Sequence, residues 1–176
     1  MFDTVFNDLL SAQNQPAGVE LVFQNVPQPW HPQSAVMHEV AFAVRNVDEA
    51  LFFPASRALF ASQELFFDRN SCNKSRTELY KELVRVVSTS CFKDEAEIAT
   101  FTSAVMKELE FSEGGSLNSG NSTTASLKFA VKYHRVRGVH VTPTVLLNGV
   151  EASDISSGWT AEQWRAKIAE CTESQP

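Results

Sequence analysis

The residues of this sequence best suited to chemistry are three cysteines, four histidines and one proline-bearing loop near the C-terminal end. Cys72, Cys91 and Cys171 are odd in number and far apart, which fits neither a secreted disulfide framework nor the close spacing of a zinc site. They read as reduced, mostly structural thiols, with a Cys72 to Cys91 bridge as the sharper alternative. Cys72 lies in the polar stretch Asp68 to Lys74 and is the candidate exposed thiol, yet a lone thiol lacks a resolving partner. Trp30 and His31 form a candidate ligand-contact pair, since an imidazole titrates near neutral pH and serves as general acid or base. The plainer reading makes His31 a ring that ends a strand and bonds to backbone. His38 follows seven residues later, off the i, i+4 spacing that sets two ligands on one helix face, so no metal is expected.

These residues need elements to position them. Phe2, Val5, Phe6, Leu9 and Leu10 recur at helical spacing, which predicts a helix from Met1 to about Gln13, ended by Pro16 and Gly18. Val19 to Phe23 is a short apolar, partly β-branched run, the pattern of a buried strand. Three prolines between Val26 and Pro32 keep the chain extended until Pro32 takes the first turn of a helix that runs from about Gln33 to Asn46. Apolar periodicity then predicts helices over Asp48 to Phe67, with Pro54 at a start or kink, over Lys74 to Ser88 and over Lys93 to Leu109. The Phe-rich run Leu51 to Phe67 reads as core before it reads as the lining of a groove. Glu113 to Thr124 is a Gly-, Ser- and Asn-rich connection, after which Thr123 or Thr124 caps a helix through Arg137. Beyond Gly138 the period changes. Val139 to Leu147, an Asn148-Gly149 turn and a strand from Val150 predict an antiparallel pair, and Thr160 caps a last helix that presents Trp164 and Ile168 to the core.

Thr142-Pro143-Thr144, followed by an apolar strand, Asn148-Gly149 and a terminal helix, resembles the closing ββα of thioredoxin-fold proteins. In those proteins the proline after Thr is held cis beside the active site, and a cis X–Pro bond costs only ~0.5–1 kcal/mol over trans. The alternative is a trans Pro143 on an edge strand. A second stretch, with Pro27, His31-Pro32, Phe52-Phe53, Ala58-Leu59-Phe60 and Gln63 in order, is similar to the DsbA-like family. There a strand ends in a Pro and a His-Pro pair before a helical insertion with an aromatic, Leu-Phe-X-X-Gln signature. The resemblance implies an α/β, thioredoxin-like fold with an all-helical insertion. It divides the chain into a thioredoxin-like part at 1–31 and 122–172, and an insertion with its connection at 32–121.

The departure from the family is chemical. DsbA-like proteins open with a strand and a Cys-Pro-X-Cys motif at the head of a helix, whereas here Met1 to Gln13 falls on the rest of that helix and the first strand is missing. A second alignment sets Gln28-Pro29-Trp30-His31 on Cys-Pro-X-Cys, with Gln28 and His31 at the two cysteines. On either alignment no thiol stands at a helix N-terminus, where the macrodipole and free N–H groups lower its pKa, and an amide cannot form a mixed disulfide. No catalytic residue is therefore assigned. The resemblance leaves binding: Val141, Thr142 and Pro143 would pair with an extended peptide, with Trp30 and His31 as further contacts.

Composition bounds the rest. At 176 residues, 43% apolar and 20% charged, the chain suits one globular domain. Its net charge of -6 excludes nucleic acid as a primary ligand, and no apolar run spans a membrane. With an acid at Asp3 where a signal peptide is basic, a cytoplasmic protein is expected, and the Asn73 and Asn121 sequons are taken as chance. Three readings follow. The chain is a DsbA-like protein without its dithiol, binding peptide or a small thiol; or an oxidoreductase whose motif lies upstream of Met1; or a glutathione-binding protein similar to kappa-class glutathione transferases, with glutathione the one cofactor considered. An exposed sheet edge would suit a dimer.

Overall fold

The computed structural model describes residues 1–5, 18–111 and 114–173. The chain divides into two compact units: residues 25–136, and a discontinuous unit made of 1–24 with 137–176. Most of the expected N-terminal helix, and of the turn after it, lies outside the described residues; within them Phe2 to Val5 is helical.

The larger unit is helical. Its elements are α1 (Pro32–Val47), α2 (Phe52–Ala61), the single turn α3 (Asp68–Ser71), α4 (Arg76–Cys91), α5 (Glu95–Glu108) and α6 (Thr124–Arg137). Local chemistry sets the starts. Pro32 occupies the first turn of α1, where a missing N–H costs no helical bond. At α4 Ser75 and Glu78 form a capping box: the Glu78 N–H donates to Ser75 Oγ at 3.2 Å and the Ser75 N–H donates to Glu78 Oε2 at 2.7 Å. Asp94 Oδ1 accepts the Ala96 and Glu97 N–H groups at 3.0 Å each to open α5. At α6 the Thr123 carbonyl accepts the Leu127 N–H, but the Thr123 hydroxyl donates to Asn121 Oδ1 at 2.7 Å. The side chain that gathers this helix start is therefore Asn121, not the expected Thr.

Helices α1, α2, α4 and α5 pack on one another through Val40, Val44, Ala55, Leu59, Leu83, Val84, Val87 and Val105, all buried. Each buried Val or Leu among them contributes about 1.5–3 kcal/mol. The expected helix over Asp48 to Phe67 breaks into a 3-10 turn at Glu49–Leu51, α2, and a 3-10 turn at Gln63–Phe66. Asp48 causes the first break: its backbone is extended and its carboxylate accepts the Ala50 N–H. Of the Phe-rich run, Phe52 and Phe66 are core while Phe53, Phe60 and Phe67 are exposed.

The smaller unit holds β1 (Leu146–Leu147), β2 (Val150–Glu151) and α7 (Ala161–Glu173). The strands are antiparallel, pairing Leu146 with Glu151 and Leu147 with Val150. Asn148 and Gly149 take φ of +50° and +86°, the left-handed pair that a two-residue hairpin of this twist requires. Val5, Ile155 and Trp164 form the core, with Val145, Leu147 and Trp159 packed against them. The expected Thr160 cap is made, with the Gln163 side chain returning a bond to the Thr160 N–H. Ile168 is only half-buried beside it.

Three expectations are corrected. Val19 to Phe23 forms no strand, and Leu21 and Val22 are exposed: an apolar run becomes a strand only against a partner ladder, and the described sheet consists of β1 and β2 alone. Val139 to Val145 is not strand either, because Pro143 cannot donate to a ladder and the Thr144 hydroxyl folds back to the Val141 carbonyl at 2.6 Å. The unit boundaries fall after residues 24 and 136 rather than 31 and 121. Helix α6 joins the helical unit through bonds from Arg45 to Ser126 and from His134 to the Asn25 carbonyl.

Candidate functional site

Val141, Thr142 and Pro143 lie in the smaller unit, Trp30 and His31 in the helical one. In the first group the Thr142–Pro143 peptide is cis. All three residues are exposed, with Val141 at 57%. An exposed, non-helical backbone just before a proline presents main-chain groups to a passing chain, and β1 follows within a few residues.

In the second group, Gln28 to His31 closes a turn, the His31 N–H bonding to the Gln28 carbonyl at 3.2 Å, and the helix begins only at Pro32. Gln28 is therefore not at the head of a helix, as an alignment with Cys-Pro-X-Cys would have it. His31 does not bond to backbone through its ring. Nδ1 lies 3.2 Å from both carboxylate oxygens of Asp68, the first residue of α3. A carboxylate only accepts, so Nδ1 carries a proton. Gln33, buried on α1, donates to the same carboxylate at 2.9 Å. The bonds from Gln33 and then His31 hold the Asp68 carboxyl below the usual range. Trp30 stands beside His31, ring centroids 6.4 Å apart, and is 62% exposed. The arrangement is an imidazole oriented by a carboxylate next to an exposed indole. No nucleophile lies in hydrogen-bond contact with it among the described residues.

The three thiols are free. Cys72 is exposed just past the end of α3, and its S–H donates to the Arg69 carbonyl. Cys91 is the last residue of α4, where burial pushes its pKa up. Cys171 lies in the last turn of α7. All three stand at helix C-termini, opposite to the end that activates a thiolate. The described residues contain no cluster of three His, Cys, Asp or Glu able to hold a metal.

A larger polar network occupies the core of the helical unit. Glu39, 1% exposed, accepts from the Arg76 guanidinium and, at 2.7 Å, from the Tyr80 hydroxyl. Arg76 Nε also donates to that hydroxyl at 2.7 Å, and Asn121 reaches it at 3.2 Å. The guanidinium stacks over the rings of Tyr80 and Phe111. Burial and the bond to Glu39 push the Tyr80 pKa up to about 12, so the phenol is a permanent donor. This network fastens α1 to α4 and to the connection before α6.

No protein-family model, curated protein or solved structure matches the chain.

Sequence reasoning named Trp30 and His31 as candidates and missed Asp68 and Gln33, which meet beside His31. Asp68 lies 37 residues from His31, so only the packing of α3 beside the start of α1 makes them neighbours. It also missed the network around Glu39. One sign was available: Glu39 interrupts the small, apolar helix Ala35 to Ala43 at a position that should face the core, and a buried acid needs a cation.

Proposed function

We propose that the chain is a thioredoxin-like domain of the DsbA-like kind that lacks the reactive dithiol and binds extended peptide through the main chain at Val141–Thr142, beside Pro143. The observation that carries this reading is the arrangement of units. Residues 1–24 and 137–176 share one unit, with a hairpin and a terminal helix after Pro143, and a helical unit is inserted between them. That is the order the family resemblance implies. The missing chemistry is equally specific, since the three free thiols stand at helix C-termini. Without a helix head no thiol here gains the lowered pKa that speeds attack on a disulfide, and what such a fold retains is strand-like pairing with peptide.

The test uses the alkylated B chain of insulin as an extended-peptide probe. Binding is expected for the unaltered chain and lost in Val141→Pro, which removes one main-chain donor from an exposed position. Insulin disulfide reduction should run no faster with the protein than without it. Turnover that Cys72→Ser abolishes would overturn the non-redox reading, and B-chain binding that survives Val141→Pro would overturn the assigned site.

A further inference from the structure

Helix α6 concentrates charge of the wrong sign for this chain. It carries Lys128, Lys132, Arg135 and Arg137 with no Asp or Glu, so the chain is at -6 although α6 alone holds +4 and the remainder stands at -10. Lys128, Lys132 and Arg135 follow the i, i+4, i+7 spacing that sets residues on one helix face. None of the three forms an ion pair among the described residues.

The same helix is under-buried. Only Ala130 and His134, one i, i+4 stripe, are buried, while Phe129 and Val136 are 63% and 74% exposed. Leu127, Val131 and Val136 share one open, shallow face of this single helix with Lys128, Lys132 and Arg135. Apolar side chains beside cations on one exposed helix face ask for apolar groups flanked by carboxylates. Phosphate chemistry would account for the cations but leave Leu127, Val131 and Val136 without a role.

We propose that this face of α6 docks an acidic amphipathic helix of a partner protein, its aliphatic side chains against Leu127, Val131 and Val136 and its carboxylates on Lys128, Lys132 and Arg135. The site lies wholly within the helical unit and does not depend on the peptide reading of Val141–Thr142.

The experiment is titration of the full chain with a labelled synthetic helix of about fifteen residues carrying Glu at i, i+4 and i+7 beside a Leu stripe, against a control peptide with Lys for Glu. The Glu peptide should bind and the Lys peptide should not. Lys128→Glu with Lys132→Glu should weaken the Glu peptide by about tenfold or more and admit the Lys peptide, a reversal that misfolding cannot produce. Val131→Asp, which keeps every cation, should weaken the Glu peptide as well; if it lowers helical circular dichroism, the charge-reversal arm decides. Equal binding of both peptides, wild-type affinity in the charge-reversed variant, or binding to phosphatidylserine-containing vesicles without binding to the Glu peptide would overturn the proposal.

Discussion

Replacing Arg76 by Met tests whether the network around Glu39 holds the helical unit together. The substitution keeps an aliphatic stem of similar length but removes the cation facing a carboxylate that is 1% exposed. Removing one partner of a buried pair costs about 3–5 kcal/mol, because the remaining charge is unsolvated. Two features place this case at the low end. The Arg76 side chain is 45% exposed, so solvent already screens its half of the pair, and the Tyr80 hydroxyl still donates to Glu39. We expect a loss of about 3 kcal/mol in urea unfolding followed by circular dichroism at pH 7. The triple variant Glu39→Met, Arg76→Met, Tyr80→Phe removes charge and phenol together and should return to within about 1 kcal/mol of the parent, since an apolar replacement leaves nothing unpaired. A loss below about 1 kcal/mol for Arg76→Met, or a triple variant no more stable than the single one, would refute the argument.

Burial, and then the charge of His134, hold His38 below the ordinary imidazole range against the opposing bond to the Ser34 carbonyl. Its native state stays neutral while the unfolded chain takes a proton below about pH 6.5. Its contribution is therefore present above that pH and lost as pH falls toward the lowered native value; His38→Gln should flatten the stability curve below about pH 6.5. Thiol labelling at about pH 8 should modify exposed Cys72 well before Cys91, whose pKa burial raises; peptide mapping by mass spectrometry reads the order, and equal rates would contradict the burial argument. Gly149→Val places a β-branched residue at φ +86° and should lower hairpin-unit stability by about 1–2 kcal/mol, seen in Trp fluorescence melts through Trp159 and Trp164, whereas Val150→Thr on the exposed strand should leave it unchanged.

The helices were legible because their signals are local. Pro32 at a first turn, Ser75 with Glu78, Asp94 before Glu95 and Thr160 with Gln163 each fix a helix start within a few residues of sequence. Asn148-Gly149 fixed a hairpin in the same way. What failed was non-local. Val19 to Phe23 has strand composition, but a strand is a relation between segments, and no described strand lies alongside it. The partner of His31 was equally invisible, since nothing near His31 in sequence marks Asp68, and the boundary at 136 depends on side chains as distant as Arg45 and Ser126.

The exposed Leu21 and Val22 and the two-residue strands of the hairpin belong to one argument about what the smaller unit can do alone. A two-stranded hairpin is marginal in water, and among the described residues this one rests on a small core of Val5, Ile155 and Trp164. Main-chain groups on an open edge are a template for pairing, so an extended peptide laid beside Val141 would add a strand next to a two-stranded hairpin. Peptide binding and stability are then linked: a ligand that pairs there raises the unfolding midpoint of the hairpin unit by mass action. Saturating insulin B chain should shift the Trp fluorescence melt upward and leave unmoved a second transition arising from the helical unit. A shift of the helical transition alone would place the peptide elsewhere.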